Sequence, residues 1–285
     1  MNWSRVKTIL IILFLFTDIL LGIGVISSTH KATAIEPEII NSTVSLLAER
    51  SISINPDIIP VKTPGIAYID AENIISDYDS FAENIFMDKP RKNDDLTYET
   101  NRYILSFSGD CFTYKCKDAE KPFNDIMANG DPENRAKTMA ADFLTAHGFN
   151  IRHADVQAAK TENGYDIKFT GKSGKIPIFS SAVTVSVTGI HSDTGELNGV
   201  SSVGGSWFNV IGQNGSDVEL KSITGILIEF MSEYNSAQPV TVTDLTLGYT
   251  VFEADTLHRS ATLVPVWRIT LSNGNEYYYD ARNTD

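Results

Sequence analysis

The chain has few of the residues from which disulfide frameworks are built. Its two cysteines, Cys111 and Cys116, lie in one segment that alternates like a β-strand. Five extended residues span about 16 Å, whereas a disulfide tolerates Cα separations of about 4.4–6.8 Å. A bridge within one strand is therefore excluded. We predict two free thiols, and a turn that pairs them is the alternative.

Catalytic and metal-binding motifs are also scarce. The five histidines are scattered, and only His147 and His153 lie close together, at a spacing that is not a metal motif. The stretch "GGSWF" lacks the Gly-x-Ser-x-Gly pattern of a nucleophile elbow. The stretch "GKSGK" is not a P-loop, because no glycine stands five residues before Gly171. We predict that the protein is not an enzyme and uses no cofactor and no metal.

The aromatic residues of the C-terminal half allow two interpretations. Trp207, Phe208, Trp267 and the run 277–279 could form a sugar-binding platform. Successive residues of a strand point to opposite faces, so about half of these side chains belong to the core by default. We favour core packing, with Trp267 and Tyr278 inside.

No cluster of positive charge is visible. The chain has 23 Lys and Arg against 36 Asp and Glu, a net charge of −13. Nucleic-acid binding needs clustered basic residues, so nucleic acid is not an expected partner. An acidic domain is also not held electrostatically on an anionic lipid surface.

One long apolar run is present near the N-terminus. Ile9–Ile26 contains 18 residues and is interrupted only by Thr17 and Asp18. A helix of this length spans about 27 Å, enough for a bilayer core. Basic residues before it place the N-terminus in the cytoplasm and residues 30–285 outside. A signal peptide cleaved at Ala34, after "ATA", is the alternative.

Asp18 lies near the centre of that run. A charged aspartate there costs about 2.5–3.5 kcal/mol on insertion scales, so it is expected to protonate or to face a partner. On a helix it shares a face with Phe14, Leu15 and Gly22, and glycine permits close approach of a second helix. We therefore predict a contact with a partner helix at Phe14, Leu15, Asp18 and Gly22. A polar residue tolerated in a signal sequence is the alternative.

The N-terminus resembles the start of the WalI (YycI) family, the membrane-anchored regulators of the WalK/WalR two-component system of Gram-positive bacteria. The matching residues are Trp3, Arg5, Lys7, Thr8 and Ile9. Asp18 stands where the family commonly has asparagine. The C-terminal stretches "TLGYT", "LVPVWRI" and "EYYYDA" are also similar to the family.

The resemblance implies a function and its partners. It implies a single-pass membrane protein that binds the transmembrane helices and sensing domain of a WalK-like sensor histidine kinase, beside a WalH (YycH)-like companion. It would modulate kinase activity and so control cell-wall homeostasis. The alternative is a secreted or anchored PepSY-like binding module, either a protease inhibitor or a cell-wall ligand binder.

Periodicity and turn residues divide the chain. We predict a cytoplasmic tail (1–8), a transmembrane helix (9–26), a linker (27–36), an N-terminal α+β subdomain (37–125) and a C-terminal, YycI-like α+β domain (126–285). Helices are predicted at 37–50, 70–86, 131–148 and 217–235, and strands and hairpins fill much of the remainder. The expected fold class is α+β, with a PepSY-like outer region of helices packed on curved antiparallel sheets.

Overall fold

The computed structural model describes residues 35–118, 120–123, 131–192, 195–235, 238–251 and 259–283. The helices are α1 (Pro37–Glu49), α2 (Tyr78–Phe86), α3 (Pro132–Ala146) and α4 (Ile223–Glu233), with a short 3-10 turn at Pro56–Ile58. The strands of the first half are β1 (Ile52–Ile54), β2 (Ile66–Asn73), β3 (Arg91–Asp94), β4 (Thr97–Glu99), β5 (Tyr103–Ser108) and β6 (Cys111–Cys116). Those of the second half are β7 (Asp155–Lys160), β8 (Gly164–Ser173), β9 (Ile176–Ser192), β10 (Gly195–Ser206), β11 (Phe208–Val218), β12 (Val240–Thr250), β13 (Ser260–Leu271) and β14 (Glu276–Asp280).

The predicted fold class, α+β, is wrong because one large mixed sheet dominates the structure. About half of the described residues lie in strands and fewer than a quarter in helices. The 14 strands belong to one mixed sheet, whose main path is β11-β2-β13-β12-β9-β10-β6-β5-β4-β3. Parallel pairs, β1 with β12 and β12 with β9, interrupt the antiparallel pattern. Sequence alternation identified strands but not their partners, because partner choice depends on contacts far apart in the chain.

The predicted transmembrane helix and the partner-contact residues Phe14, Leu15, Asp18 and Gly22 lie outside the described residues. None of the described helices is both long and apolar enough to cross a bilayer.

The chain forms two compact units. Unit 1 comprises the described residues of 1–65, 220–245 and 269–276. In it α1 packs against α4. Both helices have buried apolar residues: Ile40 and Leu47 on α1, and Leu227 and Phe230 on α4. The parallel pair of β1 with β12 aligns Ile52 with Val240, and both side chains are buried.

Unit 2 comprises the described residues of 66–219, 246–268 and 277–285. Eight of its strands form a continuous antiparallel run in the order β7-β8-β9-β10-β6-β5-β4-β3. Helices α2 and α3 bury their apolar sides in a cluster with this run, which includes Phe81, Leu144 and Phe112. The rings of Phe81 and Phe112 lie 4.9 Å apart, a favourable distance for aromatic pairs.

The ends of α3 follow the sequence signals. Asp131 caps the helix, with its carboxylate accepting a hydrogen bond from Glu133 N at 3.0 Å, and Pro132 occupies the first turn. Gly148 follows the helix with φ +86°, a conformation that glycine adopts without strain. The prediction of a helix at 131–148 is confirmed, and so is that of α1.

Two other helices were predicted to begin too early. Residues 66–73 form β2, and α2 begins only after Asp77, whose carboxylate accepts from Ser80 N at 2.8 Å. Likewise β11 extends to Val218, and α4 begins after Ser222, whose hydroxyl accepts from Gly225 N at 3.2 Å. In both cases a side-chain cap sets the start of the helix several residues beyond the predicted one.

The predictions for cysteines and aromatic residues have mixed outcomes. Both thiols are free, with Cys111 exposed and Cys116 buried at opposite ends of β6, as predicted. Trp267 is buried, but Tyr278 is 43% exposed and Tyr279 is the buried residue of β14. A shift of one residue along a strand exchanges the two faces, so this prediction was wrong by one position.

We predict that Thr270→Val stabilises the protein. Thr270 Oγ1 is buried and has no hydrogen-bond partner among the described residues. Valine keeps the branched shape and removes the unpaired hydroxyl, so the free energy of unfolding should rise by about 1 kcal/mol. Chemical denaturation measures the change.

Thr243→Val on the neighbouring strand is the matched control. The Thr243 hydroxyl donates to Thr270 O at 3.1 Å, so the same substitution there removes a satisfied hydroxyl and should lower stability slightly. A loss of stability in Thr270→Val would contradict the prediction.

Candidate functional site

A cleft of about 280 Å³ lies in unit 2. Three separate segments form it: the loop between α3 and β7, the hairpin end of β8 and β9, and the junction of β10 with β11. The lining residues are Asn150, His153, Ala154, Gly171, Lys172, Ser173, Gly174, Ile178, Trp207, Phe208 and Val210. The cleft therefore combines an apolar floor with polar and charged side chains.

The floor is held rigidly by hydrogen bonds. Trp207 Nε1 donates to Asn209 Oδ1 at 3.0 Å, and Asn150 N donates to the same oxygen at 3.2 Å. The Ser181 hydroxyl donates to Phe208 O at 3.1 Å and accepts from Phe208 N at 3.0 Å. One amide oxygen and one hydroxyl thus fix both aromatic residues and join the floor to the loop that follows α3.

An aromatic series connects the floor to the core of unit 2. The ring of Trp207 lies 6.2 Å from that of Phe149, which lies 5.9 Å from Phe112. Trp207 and Phe208 are each 2% exposed. The core interpretation of these two residues is confirmed, and their buried faces leave no open platform for stacking a sugar ring.

Basic residues lie in the lining of the cleft and next to it in the chain, with the carboxylate of Asp155 among them. Lys172 Nζ lies 2.5 Å from Asp155 Oδ2, and His153 is exposed beside it in the lining. Two further exposed residues, Arg152 and Lys175, adjoin lining residues in the chain. We call Arg152, His153, Lys172 and Lys175 the basic rim.

The basic rim contrasts with the rest of the chain. Residues 150–155 and 171–178 contain three Lys and Arg and one Asp, whereas the whole chain has a net charge of −13. A local reversal of sign in a concave, partly apolar site attracts anions. Sequence reasoning missed this site because its three segments are separated by about 20 and 30 residues and share no motif.

His147 forms a second polar site in unit 2. Asn84 Nδ2 donates to His147 O at 3.0 Å, and His147 Nδ1 lies 3.1 Å from Asn84 O. The carbonyl accepts, so Nδ1 carries the hydrogen. This reciprocal pair joins the C-terminal ends of α2 and α3. Burial lowers the pKa of His147, and the bond to Asn84 O opposes the shift.

Among the described residues, no group of three or more His, Cys, Asp and Glu side chains is arranged to hold a metal ion. His147 and His153 are the one pair of histidines close in sequence, but they lie in different places. His147 is at the C-terminal end of α3, and His153 lines the cleft. "GKSGK" lies at the turn between β8 and β9, as the sequence predicted.

No family model and no curated protein matches the chain, so membership of the WalI family stays a prediction. An uncharacterized protein from Eubacterium rectale is 12% identical, with a TM-score of 0.46; the match covers 82% of this chain and 89% of that one. The C-terminal domain of YpeB from Bacillus megaterium is 13% identical, with a TM-score of 0.29, over 72% of this chain and 91% of that one.

We predict that His147 makes stability depend on pH. Its folded pKa is lowered, so the unfolded chain binds the proton more tightly. The contribution is fully present above the unfolded pKa of about 6.5 and is lost as the pH falls below it, by up to about 1.4 kcal/mol per pH unit. His147→Gln should remove this part of the slope in urea denaturation between pH 7 and 5.

His153→Gln is the control for that measurement. It makes the same substitution at an exposed side chain that lies outside the pair of Asn84 with His147. Equal slopes in the parent protein and His147→Gln would show that His147 does not titrate differently on folding.

Proposed function

We propose that this chain is a non-enzymatic binding protein whose cleft in unit 2 takes a ligand with a carboxylate next to an apolar group. The basic rim above a rigid apolar floor, on a strongly acidic chain, is the observation that supports this proposal. The carboxylate meets the cationic side chains, and the apolar group covers the floor beside Ile178 and Phe208. A protease inhibitor or a cell-wall ligand binder is compatible with such a site.

Binding fits the site better than catalysis. A nucleophile needs a base within hydrogen-bond reach. Ser173 and His153 both line the cleft, but no hydrogen bond joins them in the described part of the chain. Lys172, the other reactive side chain, is already engaged with Asp155. The site thus offers charge and shape without an activated group.

We predict that N-acetyl-valyl-valine with a free carboxylate binds the protein and that its carboxamide binds more weakly. The change in tryptophan fluorescence, to which Trp207 in the floor of the cleft contributes, reports the titration. For a ligand of this size we expect a Kd on the order of 1 mM. Lys172→Met should weaken binding of the carboxylate about fivefold, because it removes one partly exposed charge interaction of about 1 kcal/mol.

Lys168→Met is the matched control for Lys172→Met. Lys168 lies on the same strand, β8, is exposed and is not part of the cleft lining. Lys168→Met makes the same change in net charge as Lys172→Met and should leave the Kd for the carboxylate ligand within about twofold of the parent value. Equal binding of carboxylate and carboxamide by the parent protein would refute the proposed ligand class.

Regulation of a sensor histidine kinase is the second candidate function. The observation that favours it is the N-terminal sequence, with its apolar run, its central Asp18 and its likeness to the WalI family. In this proposal the protein resides in the cell membrane, with residues 30–285 outside. It contacts the kinase and a WalH-like companion. Tighter binding to one signalling state would shift the kinase toward that state by no more than the difference in affinity.

We predict that Asp18→Leu reduces co-purification of the kinase, because leucine cannot donate or accept the hydrogen bond that a carboxyl group makes across a helix interface. Thr17→Leu is the control, since it changes the other polar residue of the run on a neighbouring face. The amount of kinase recovered with the tagged full-length chain is the measurement. Unchanged recovery with Asp18→Leu would refute the contact.

A further inference from the structure

Within the described part of the chain, β7 is an edge strand whose four middle residues, 156–159, carry no charge. Over Asp155–Lys160 it pairs with β8 in uninterrupted register, and it contains no proline and no bulge. Within the described part of the chain, β7 pairs with β8 alone. The opposite edge of the antiparallel run, β3, is short, carries charged residues and shifts register between Lys92 and Asp94, which are devices that discourage pairing.

The register shows which backbone groups of β7 face outward. Thr161 N donates to Gly164 O at 2.9 Å, so these two residues form the hydrogen-bonded pair that closes the hairpin. Hydrogen bonds alternate along an antiparallel pair. Residues 159, 157 and 155 therefore bond to β8, and Val156, Ala158 and Lys160 turn their N–H and C=O groups away. No described residue bonds to the outward-facing amides of Val156 and Ala158.

The side chains of Val156 and Ala158 lie on the face of the sheet that packs against the core. Val156 is aligned with Phe169 and Ala158 with Ile167, and both partners are buried in the core of unit 2. Ala158 is partly buried, but Val156 is 42% exposed. An apolar side chain thus lies uncovered at the place where an added strand would bring a neighbour.

The cleft lies at the N-terminal end of the same strand. Asn150, His153 and Ala154 precede β7 directly, and Lys172 contacts Asp155, its first residue. A segment that pairs antiparallel with β7 runs in the opposite direction. Its C-terminal end is therefore the end that reaches the cleft.

We propose that the free edge of β7 binds an extended peptide in antiparallel orientation, with the C-terminal carboxylate of that peptide in the cleft. The inference rests on the proposed function, because it uses the same cleft and the same carboxylate. It adds the ligand class, a peptide with a free C-terminus, and the mode of recognition. Main-chain hydrogen bonds to an exposed strand edge supply affinity, and pockets at the end supply selectivity.

Charge and shape support this occupant. The basic rim attracts the terminal carboxylate. The Lys172 ammonium has three N–H donors, so it can bond that carboxylate and Asp155 together. The apolar residues of a peptide with alternating character cover Val156 on the core side. A peptide in parallel orientation would bring its N-terminal amine to the same cationic rim, which disfavours that direction.

The test uses a pool of N-terminally labelled hexapeptides with alternating apolar and polar residues, made with free C-termini and, separately, as C-terminal amides. The full 285-residue chain is immobilised in detergent, and the retained label is measured. We expect about tenfold higher retention of the free-carboxylate pool. Ala158→Pro, which removes one outward N–H, should reduce that retention about tenfold, because proline is tolerated only at the unpaired side of an edge strand and blocks addition there.

A second pair of variants keeps the test decisive if Ala158→Pro does not fold. Val156→Lys places a charge on the core side of the edge, and Gln157→Lys places the same charge on the other face of the same strand. Loss of retention in Val156→Lys, with retention kept in Gln157→Lys, supports the proposal. Retention of the free-carboxylate pool by both Ala158→Pro and Val156→Lys overturns the strand pairing and leaves the carboxylate-binding cleft in place. Equal retention of both pools by the parent protein overturns the proposed function and the pairing together.

Discussion

The packing of α2 and α3 onto one face of the antiparallel strands is the constraint on which unit 2 depends. Phe81, Phe112 and Phe149 form a continuous series of ring contacts between the helices and the sheet. Burying a side chain of this size contributes about 1.5–3 kcal/mol, so the series supplies a large part of the net stability of a domain. Because Trp207 continues the same series, the floor of the cleft belongs to the core and cannot move independently of it.

The same packing determines the direction of the loop that follows α3. Gly148 ends the helix in a left-handed conformation, and Phe149 then turns into the core. The next residues, including Asn150 and His153, are carried to the cleft, where Asn150 N bonds to Asn209. The pair of Asn84 with His147 holds the C-terminal ends of both helices where this turn begins. The basic rim, the floor of the cleft and the C-terminal ends of α2 and α3 are thus all positioned by the same core packing.

Local signals in the sequence specify part of this structure. The cap at Asp131 and the stop at Gly148 act within one turn of the helix, and so the bounds of α3 are predictable. Residues 70–73 were predicted as the start of a helix, but the buried position of Ala71, two residues after buried Ile69, makes them the end of strand β2. Only contacts distant in the chain supply that decision. The error at Tyr278 has a similar origin, because the phase of a five-residue strand depends on its partner.

The cleft could not be predicted for the same reason. Lys172, His153 and Trp207 come from three segments that pairing of β8, β9 and β10 brings together. In sequence, each is an ordinary residue: a lysine in a turn, a histidine after a helix and a tryptophan in a strand region. Their combination is visible only once β8 and β9 are paired. At the register shift after Thr170, an added Cβ on Gly171 would lie 2.8 Å from the Ser181 side chain. The close approach of these two strands explains why the lining includes glycine there.

The electrostatic setting of the cleft limits which ligands can use it. A chain with a net charge of −13 repels anions at long range, and the Debye length of about 8 Å at physiological salt screens most of that repulsion. The basic rim therefore acts only on a group that is already close. An acidic polymer gains nothing from the distant surface, whereas a ligand held by other contacts can deliver a single carboxylate to the rim. A strand edge beside the cleft provides such contacts.

A strand edge and a small cleft are each weak when used alone. A net contribution of about 0.5–1.5 kcal/mol per hydrogen bond gives little affinity once the ordering of a flexible peptide is subtracted. A cleft of about 280 Å³ is at the small end for ligand sites and holds only the end of a peptide. When one peptide engages both, the second contact becomes intramolecular and gains an effective concentration in the millimolar range. The edge of β7 forms hydrogen bonds with the main chain of the peptide and so accepts many sequences, while the basic rim binds a carboxylate. Together they discriminate the free end of a polypeptide from its interior, a selectivity that neither element has alone.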